Sequence, residues 1–235
     1  MKLFYVPDIN SVPQLSEEES GHAVRVLRLR EGDEIMVVDG QGEFYRCEIT
    51  AAHPKHCGVQ ILETTPEEVR PYSVEIAVAP TKNLDRTEWF LEKAVEMGLD
   101  RFTPLRCRHS ERKELKVERM SKIAVSAMKQ SLKATLPRID EMRDIMAYIA
   151  ETFEGQKFIA HCYKDQERLL LSREIKAGEA VRVLIGPEGD FSEEEVAAAI
   201  AAGYKPVSLG VCRLRTETAA LAACHSVHVI NEIMG

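Results

Sequence analysis

The chain has 235 residues, which at about 150 per domain leaves room for one large domain or for a small and a medium one. It is 45% hydrophobic and 29% charged, which excludes disordered, collagenous and fibrous classes, and at this length roughly 70% of the unfolded surface can be buried without a metal or disulfide staple. The net charge of −7 hides an uneven distribution: residues 1–70 carry −6, residues 71–138 carry +5 and residues 139–235 carry −6, and within 101–138 the balance reaches +8, enough for a phosphate-facing patch.

The first 70 residues read as short strands separated by turns: LFYVP, HAVRVLRL, EIMVVDGQGEFYRCEI and GVQILETT. Asp39-Gly40-Gln41-Gly42 lies between two segments rich in β-formers, which predicts a hairpin. A small β-barrel or sandwich follows. The stretch TTPEEVRP, residues 64–71, has two prolines and no apolar periodicity and is the expected linker, so the chain is divided at 1–70 and 71–235.

From residue 73 strands alternate with helices. VEIAVAP is followed by a helix from about Asp85 to Met97 closed by Gly98, then by the strand RFTPLRC and a helix over roughly Glu114–Leu136 that stops before Pro137. On that long helix Val117, Met120, Ala124, Ala127 and Met128 share one side, while Arg119, Lys122, Lys129 and Lys133 share the other. A helix near 141–152, strands KFIAHCY and AVRVLIG, a helix from Ser192 to Ala202, the strand PVSLG and a helix from Thr216 to Ile230 complete the chain. Ser192 and Glu195 have capping-box spacing. This alternation predicts an α/β domain with a mostly parallel sheet covered on both faces, with ligands at the carboxyl ends of its strands.

Two loops occupy that ligand-binding position: Ile185-Gly186-Pro187-Glu188-Gly189-Asp190-Phe191, and Leu209-Gly210-Val211-Cys212-Arg213-Leu214-Arg215-Thr216-Glu217-Thr218. Their glycines let main-chain groups approach a ligand without a Cβ in the way, although a plain strand-to-helix connector also favours glycine. Nucleotide phosphate loops, dinucleotide fingerprints and nucleophile elbows are all missing from the sequence. Pro187, Glu188 and Asp190 would repel a pyrophosphate and suit a ligand bearing an ammonium or sulfonium charge, which points towards S-adenosylmethionine. The six cysteines are scattered, with no C-x-x-C pair and no zinc-ligand spacing, so no metal is expected. The N-terminus lacks a secretory apolar stretch and no run is long enough to cross a bilayer, so a cytoplasmic protein without a membrane partner is expected.

The segments LIGPEGDFSEEEV and SLGVCRLRTETAALAACHSV resemble the paired signature of the SPOUT methyltransferases, specifically the ribosomal RNA small subunit methyltransferase E family. Gly186, Pro187, Glu188, Gly189, Phe191, Leu209, Gly210, Leu214, Arg215, Glu217, Thr218 and Ala219 carry the resemblance. The chain departs from the family pattern at Asp190, where glycine is common, and at Cys212-Arg213. The resemblance runs nearly end to end: HAVRVLRLREGD is similar to the family's H-x-x-x-V-L-R-x-x-x-G-D, LEKAVEMGL to K-A-x-E-L-G, and MKQSLKATLPRI to E-Q-S-x-R-x-x-x-P with Lys133 in the arginine position.

What the resemblance implies is a PUA-like N-terminal β-barrel, a C-terminal α/β trefoil-knot domain, a homodimer, and methylation of N3 of one uridine in 16S rRNA of the small subunit; the acidic flanks of the chain point to the assembled particle as the substrate. The knot contradicts the ordinary rule that chains do not thread their own loops. S-adenosylmethionine is then expected among the knot loops, against main-chain groups of Leu184, Gly186, Gly189, Leu209, Gly210 and Leu214, with Pro187, Glu188, Thr216, Thr218 and Ala219 also in the binding set. Thr216 or Thr218 could equally be a helix N-cap. Arg215 is the candidate cation for the uridine oxygens. Glu217 is either the base that removes the N3 proton or, as the favoured alternative, a carboxylate that pairs with an arginine to hold the loop or dimer together. His22, Arg25, Arg28 and Arg30 are expected in a strand, with His22, Arg28 and Arg30 on one face; they and the Arg119/Lys122/Lys129/Lys133 stripe are the candidate RNA contacts, against the alternative of ordinary solvated charge. Two other functions fit the same motifs: a non-catalytic rRNA-binding or assembly protein, and a ribose 2′-O-methyltransferase.

Overall fold

The computed structural model describes residues 3–163 and 168–234. The chain divides into two units, Met1–Val69 with Val125–Leu136, and Arg70–Ala124 with Pro137–Gly235. The first unit is therefore not one continuous stretch. Its second segment joins through Leu136 N–H bonded to Gly40 O at 2.9 Å and Gly42 N–H bonded to Ala134 O at 3.2 Å.

In the first unit, β1 (Leu3–Tyr5), β2 (Glu34–Val38), β3 (Glu43–Ala51) and β4 (Gly58–Pro66) form a four-stranded sheet in that order, β1 parallel to β2 and the rest antiparallel. The hairpin forms at the expected turn. Asp39 Oδ1 accepts from Gln41 N–H at 2.7 Å, and Gly40 and Gly42 take φ of 81° and 105°, which an L side chain adopts only under strain. Phe4, Leu15, Ala23, Val37, Cys47 and Ile49 fill the core beneath the sheet. Strand β4 runs through Pro66, so the first three residues of the expected linker are sheet.

The segment expected as a strand from His22 is helical. Helix α1 (Glu17–Gly21) starts at Ser16, whose side chain accepts from Glu19 N–H, with three glutamates in the first turn where the helix dipole favours them. It widens into a π-helical turn over His22–Val26, closed by Leu27 N–H to His22 O at 3.0 Å, and ends where Arg28 takes φ 59° while Leu29 N–H bonds Ala23 O at 3.1 Å. The helix buries Ala23 in the core, and the basic residues do not alternate on a sheet face.

The second unit contains β5 (Val74–Val78), α2 (Leu84–Met97), β6 (Arg101–Arg106), α3 (Val117–Gln130, whose later residues count with the first unit), β7 (Arg138–Ile139), β8 (Arg143–Asp144), α4 (Ile145–Ile149), β9 (Gln156–Ala160), β10 (Leu169–Leu170), α5 (Leu171–Glu174), β11 (Val181–Ile185), α6 (Glu193–Ala201), β12 (Lys205–Ser208) and α7 (Thr216–Met234). The strands form one parallel sheet in the order β10-β12-β9-β11-β5-β6-β7, with β8 also pairing β6. Central β11 is buried at all five positions, as a strand covered on both faces must be. Ala77, Ile159 and Leu184 pack with Tyr148 of α4 and Val196 of α6, while α7 lies against α2, β5 and β11.

Two helices are shorter than their periodicity suggested. Helix α3 ends at Gln130 because Leu132 takes a left-handed φ of 57°, not because of Pro137. Helix α4 cannot begin before Ile145, since the Asp144 side chain caps Met146 and Ala147 N–H while its backbone lies in β8.

Asp140 accepts from Thr103 Oγ1 at 2.7 Å, from Arg101 Nε at 2.7 Å and from Arg138 Nε at 2.9 Å. Burial opposes its ionisation, but the Thr103 hydroxyl and the Arg101 guanidinium outweigh burial and hold the carboxyl below its ordinary value. A depressed carboxylate contributes stability above its unfolded pKa, about 3.9, and loses it as pH falls through the folded value. In urea titrations at successive pH, the stability gap between the native protein and Asp140→Asn is expected to be constant at neutral pH and to shrink below about pH 4. A gap that widened on acidification would contradict this assignment.

Candidate functional site

Strands β9, β11 and β12 lie side by side, so their carboxyl ends deliver three loops to one edge of the sheet. These are His161–Tyr163 after β9, Gly186–Ser192 after β11, and Leu209–Arg215 after β12, the last leading into the N-terminus of α7. Between them are two adjoining cavities that share Ala160, Cys162, Ile185, Arg213, Leu214 and Ala219 in their walls. The first, of about 340 Å³, is lined further by Arg86, Gly186, Pro187, Glu188, Asp190, Arg215, Thr216 and Glu217. The second, of about 370 Å³, is lined further by His161, Arg168, Val207, Ser208, Leu209, Gly210, Val211 and Cys212.

The two cavities differ in charge. Three carboxylates and three guanidinium groups line the first, whereas the second has no carboxylate among its described lining residues and is walled by Ile185, Val207, Leu209 and Leu214. The glycines in the loop after β11 serve the loop itself. A Cβ on Gly186 would meet Phe191 N at 3.1 Å and the Phe191 ring at 3.2 Å, and one on Gly189 would meet His109 Cβ at 3.1 Å. Gly210 is different: its φ is 126° and a Cβ there would meet nothing within 4 Å, so close approach is open at that point.

Asp190 organises the loop. Its φ is 65°, the left-handed region in which glycine is unstrained, and its carboxylate accepts from Phe191 N–H at 2.8 Å and from Cys162 N–H at 2.7 Å, tying the β11 loop to the β9 loop. Glu188 Oε1 accepts from Lys82 N–H at 2.9 Å. Asp190→Ala should lower unfolding free energy by about 1–3 kcal/mol, because two donors lose a charged acceptor. Asp190→Gly should cost less, since relief of left-handed strain returns about 1 kcal/mol. Chemical denaturation of both variants checks the order; an Asp190→Gly variant less stable than Asp190→Ala would refute it.

Glu217, whose side chain is 9% exposed, lies 3.6 Å from the Arg86 guanidinium. Arg215 is exposed, and no ion pair to it is formed among the described residues. Burial, with Asp190 nearby, pushes the Cys162 thiol up, so it stays protonated at neutral pH and is a poor nucleophile.

Of the expected donor-binding residues, Gly186, Pro187, Glu188, Thr216, Leu214 and Ala219 line the first cavity, and Leu209 and Gly210 line the second. Leu184 is buried in the core below, Gly189 packs on His109, and Thr218 is exposed on α7; these three line neither cavity. Arg86, Arg213 and His161 are not among the expected site residues, whereas Asp190 is expected there as an acidic group suited to a cationic ligand. Asp190 and Arg213 sit in the two loops already singled out, whereas nothing local marks Arg86, which is 131 positions from its partner Glu217.

The candidate RNA contacts fall in two segments, residues 22–30 and 119–133. Arg25, Arg28 and Arg30 are exposed and His22 is half-buried. Most of the α3 stripe is already paired within the chain: Arg119 with Glu88 at 2.5 Å, Lys122 with Glu118 at 3.1 Å, and Lys129 with Glu19. Lys133 is half-buried. Among the described residues no cluster of three or more His, Cys, Asp or Glu is arranged to hold a metal, and no helix is long and apolar enough to cross a membrane.

Comparison with known proteins agrees with this geometry. Residues 68–228 match the RNA methyltransferase domain family and residues 15–62 match the RNA methyltransferase PUA domain. A crystal structure of a probable rRNA-methyltransferase from Porphyromonas gingivalis is 42% identical, with all of both chains covered and a TM-score of 0.96. The ribosomal RNA small subunit methyltransferase E of Neisseria gonorrhoeae, crystallised bound to S-adenosyl methionine, is 26% identical over 98% of each chain with a TM-score of 0.84. The Bacillus subtilis protein of the same name is 27% identical over 94% of this chain and 91% of its own.

Proposed function

Because the chain belongs to the RNA methyltransferase family, in the branch of ribosomal RNA small subunit methyltransferase E, we propose that it transfers a methyl group from S-adenosylmethionine to N3 of a uridine in 16S rRNA. The observation that carries this reading is the pair of adjoining cavities at the carboxyl ends of β9, β11 and β12, one lined by charges of both signs and the other walled by aliphatic side chains, with Arg215 at the rim making no ion pair among the described residues. The walls fit the donor. Glu188 and Asp190 favour a cationic sulfonium or ammonium, Ile185, Val207 and Leu209 suit a flat base, and open space above Gly210 admits close main-chain contact.

When bound, S-adenosylmethionine supplies an electrophilic methyl group that asks mainly for an aligned nucleophile. Uridine N3 carries a proton at neutral pH, and its loss to solvent spreads negative charge over the neighbouring carbonyl oxygens. Arg215 stabilises that charge. Glu217 is occupied by Arg86, which supports its role in holding the start of α7 and so aiming Arg215. Pro187 and the Asp190 bonds keep the β11 loop rigid, and the protonated Cys162 forms no covalent link.

The N-terminal unit, residues 1–69 with 125–136, contributes RNA affinity through Arg25, Arg28 and Arg30. The enzyme works as a cytoplasmic homodimer with a knotted C-terminal domain, on the assembled subunit, whose dense phosphate surface the basic middle of the chain suits. The test is to incubate the protein with labelled donor and small subunits from an unmodified strain, then map the methyl group by nuclease digestion and mass spectrometry. A mark on uridine N3 is expected; a ribose mark, or none, would overturn the proposal.

A further inference from the structure

His161, at the end of β9, is 3% exposed and lines the second cavity. Its Nδ1 accepts the Tyr163 backbone N–H at 3.3 Å, and its carbonyl accepts from Arg168 Nη1 at 2.6 Å. A ring nitrogen that accepts from a peptide N–H carries no proton, so the neutral imidazole holds its hydrogen on Nε2. Burial favours this neutral form and, with a smaller contribution from Arg168, outweighs the opposing Asp190 carboxylate. Nε2 is itself buried and has no hydrogen-bond partner among the described residues. A buried N–H without an acceptor is a standing cost that folding alone does not recover.

We infer that His161 is a specificity residue of the donor site, its Nε2–H donating to a ring nitrogen of the donor's purine base. The ligand class follows from the walls: Ile185, Val207, Leu209 and Leu214 give flat apolar surface, the described lining has no carboxylate to attract a cation, and the imidazole adds one directional donor. An acceptor-bearing heteroaromatic ring satisfies all three features, whereas the cationic end of the same molecule suits the first cavity with Glu188 and Asp190. This rests on the donor assignment made above and adds to it which side chain reads the base.

Two substitutions separate binding from folding. In His161→Asn the shorter amide can still accept the Tyr163 N–H, as asparagine commonly does two residues ahead of it, but loses the distal donor. In His161→Phe the ring shape remains and both bonds go. Calorimetric titration with S-adenosylhomocysteine is expected to show at least about a tenfold weakening in His161→Asn, the loss of one hydrogen bond in a desolvated site. A structural histidine would instead lower the melting temperature and leave affinity alone. Titration with 1-deaza-, 3-deaza- and 7-deazaadenosine then identifies the acceptor: one analogue should bind the unaltered protein more weakly than adenosine yet match adenosine in His161→Asn. Unchanged affinity in both variants, or equal losses for all three analogues, overturns the inference while leaving the donor site standing. Failure of the unaltered protein to bind S-adenosylhomocysteine would instead remove the donor assignment itself.

Discussion

Replacing Arg215 by alanine is expected to slow methylation of the small subunit about 10²–10³-fold, the effect of deleting one preorganised charge from a developing oxyanion. The melting temperature and donor affinity should hardly move. Arg215 is exposed at the rim of the first cavity and makes no ion pair among the described residues, so its removal leaves no buried partner stranded. Glu217 differs in every respect: it is 9% exposed and faces Arg86 at 3.6 Å. Glu217→Gln should therefore act through stability and the setting of the α7 N-terminus, with a loss of kcat much smaller than that of Arg215→Ala. Single-turnover rates measured across pH distinguish the roles. If Glu217→Gln alone abolished the rise in rate through the acid range and matched the loss in Arg215→Ala, the carboxylate would be the base and the present assignment would be wrong.

The largest expected effect on stability lies in the second position of β11. Arg182 is 2% exposed, its guanidinium lies 2.8 Å from Glu75, and it stacks over the Tyr148 and Phe153 rings at 4.6 and 4.3 Å. Among the described residues, Arg182→Met leaves Glu75 with only the more distant Arg101, 3.6 Å away, and it removes both ring contacts. Stranding one partner of a buried pair costs about 3–5 kcal/mol, which in a chain of this size lowers the melting temperature on the order of 10 °C. Removing both charges in Arg182→Met with Glu75→Gln should recover part of that loss, since no ion is then left unpaired. Donor affinity should persist, because the cavities begin at Ile185, three residues further along the strand. A double variant less stable than Arg182→Met alone would show that packing on the rings, not charge, is the dominant contribution.

Much of this molecule was legible along the chain because the signals are local. Asp39-Gly40-Gln41-Gly42 marks its hairpin through glycine's left-handed freedom, Ser192 and Glu195 mark the start of α6 through reciprocal capping, and the uniformly apolar run from Val181, broken only by Arg182, marks a strand covered on both faces. The same capping logic was available at Ser16 and Glu19, where β-branched residues after His22 instead suggested a strand; burial of Ala23 and the dipole-matched glutamates decided for helix. The end of α4 nearest β8 was hidden because Asp144 serves both as strand residue and as cap.

By itself, then, the order of residues determined the α/β alternation, the two glycine-bearing loops and the family, because turn conformations, caps and short motifs depend on neighbours a few positions apart. Only the tertiary structure decided that β9 lies between β11 and β12, that Arg86 reaches Glu217, and that His161 lines the second cavity with Nε2 unpartnered among the described residues. Those facts depend on strand order and on burial, which arise from packing between segments far apart in the chain and leave no local pattern.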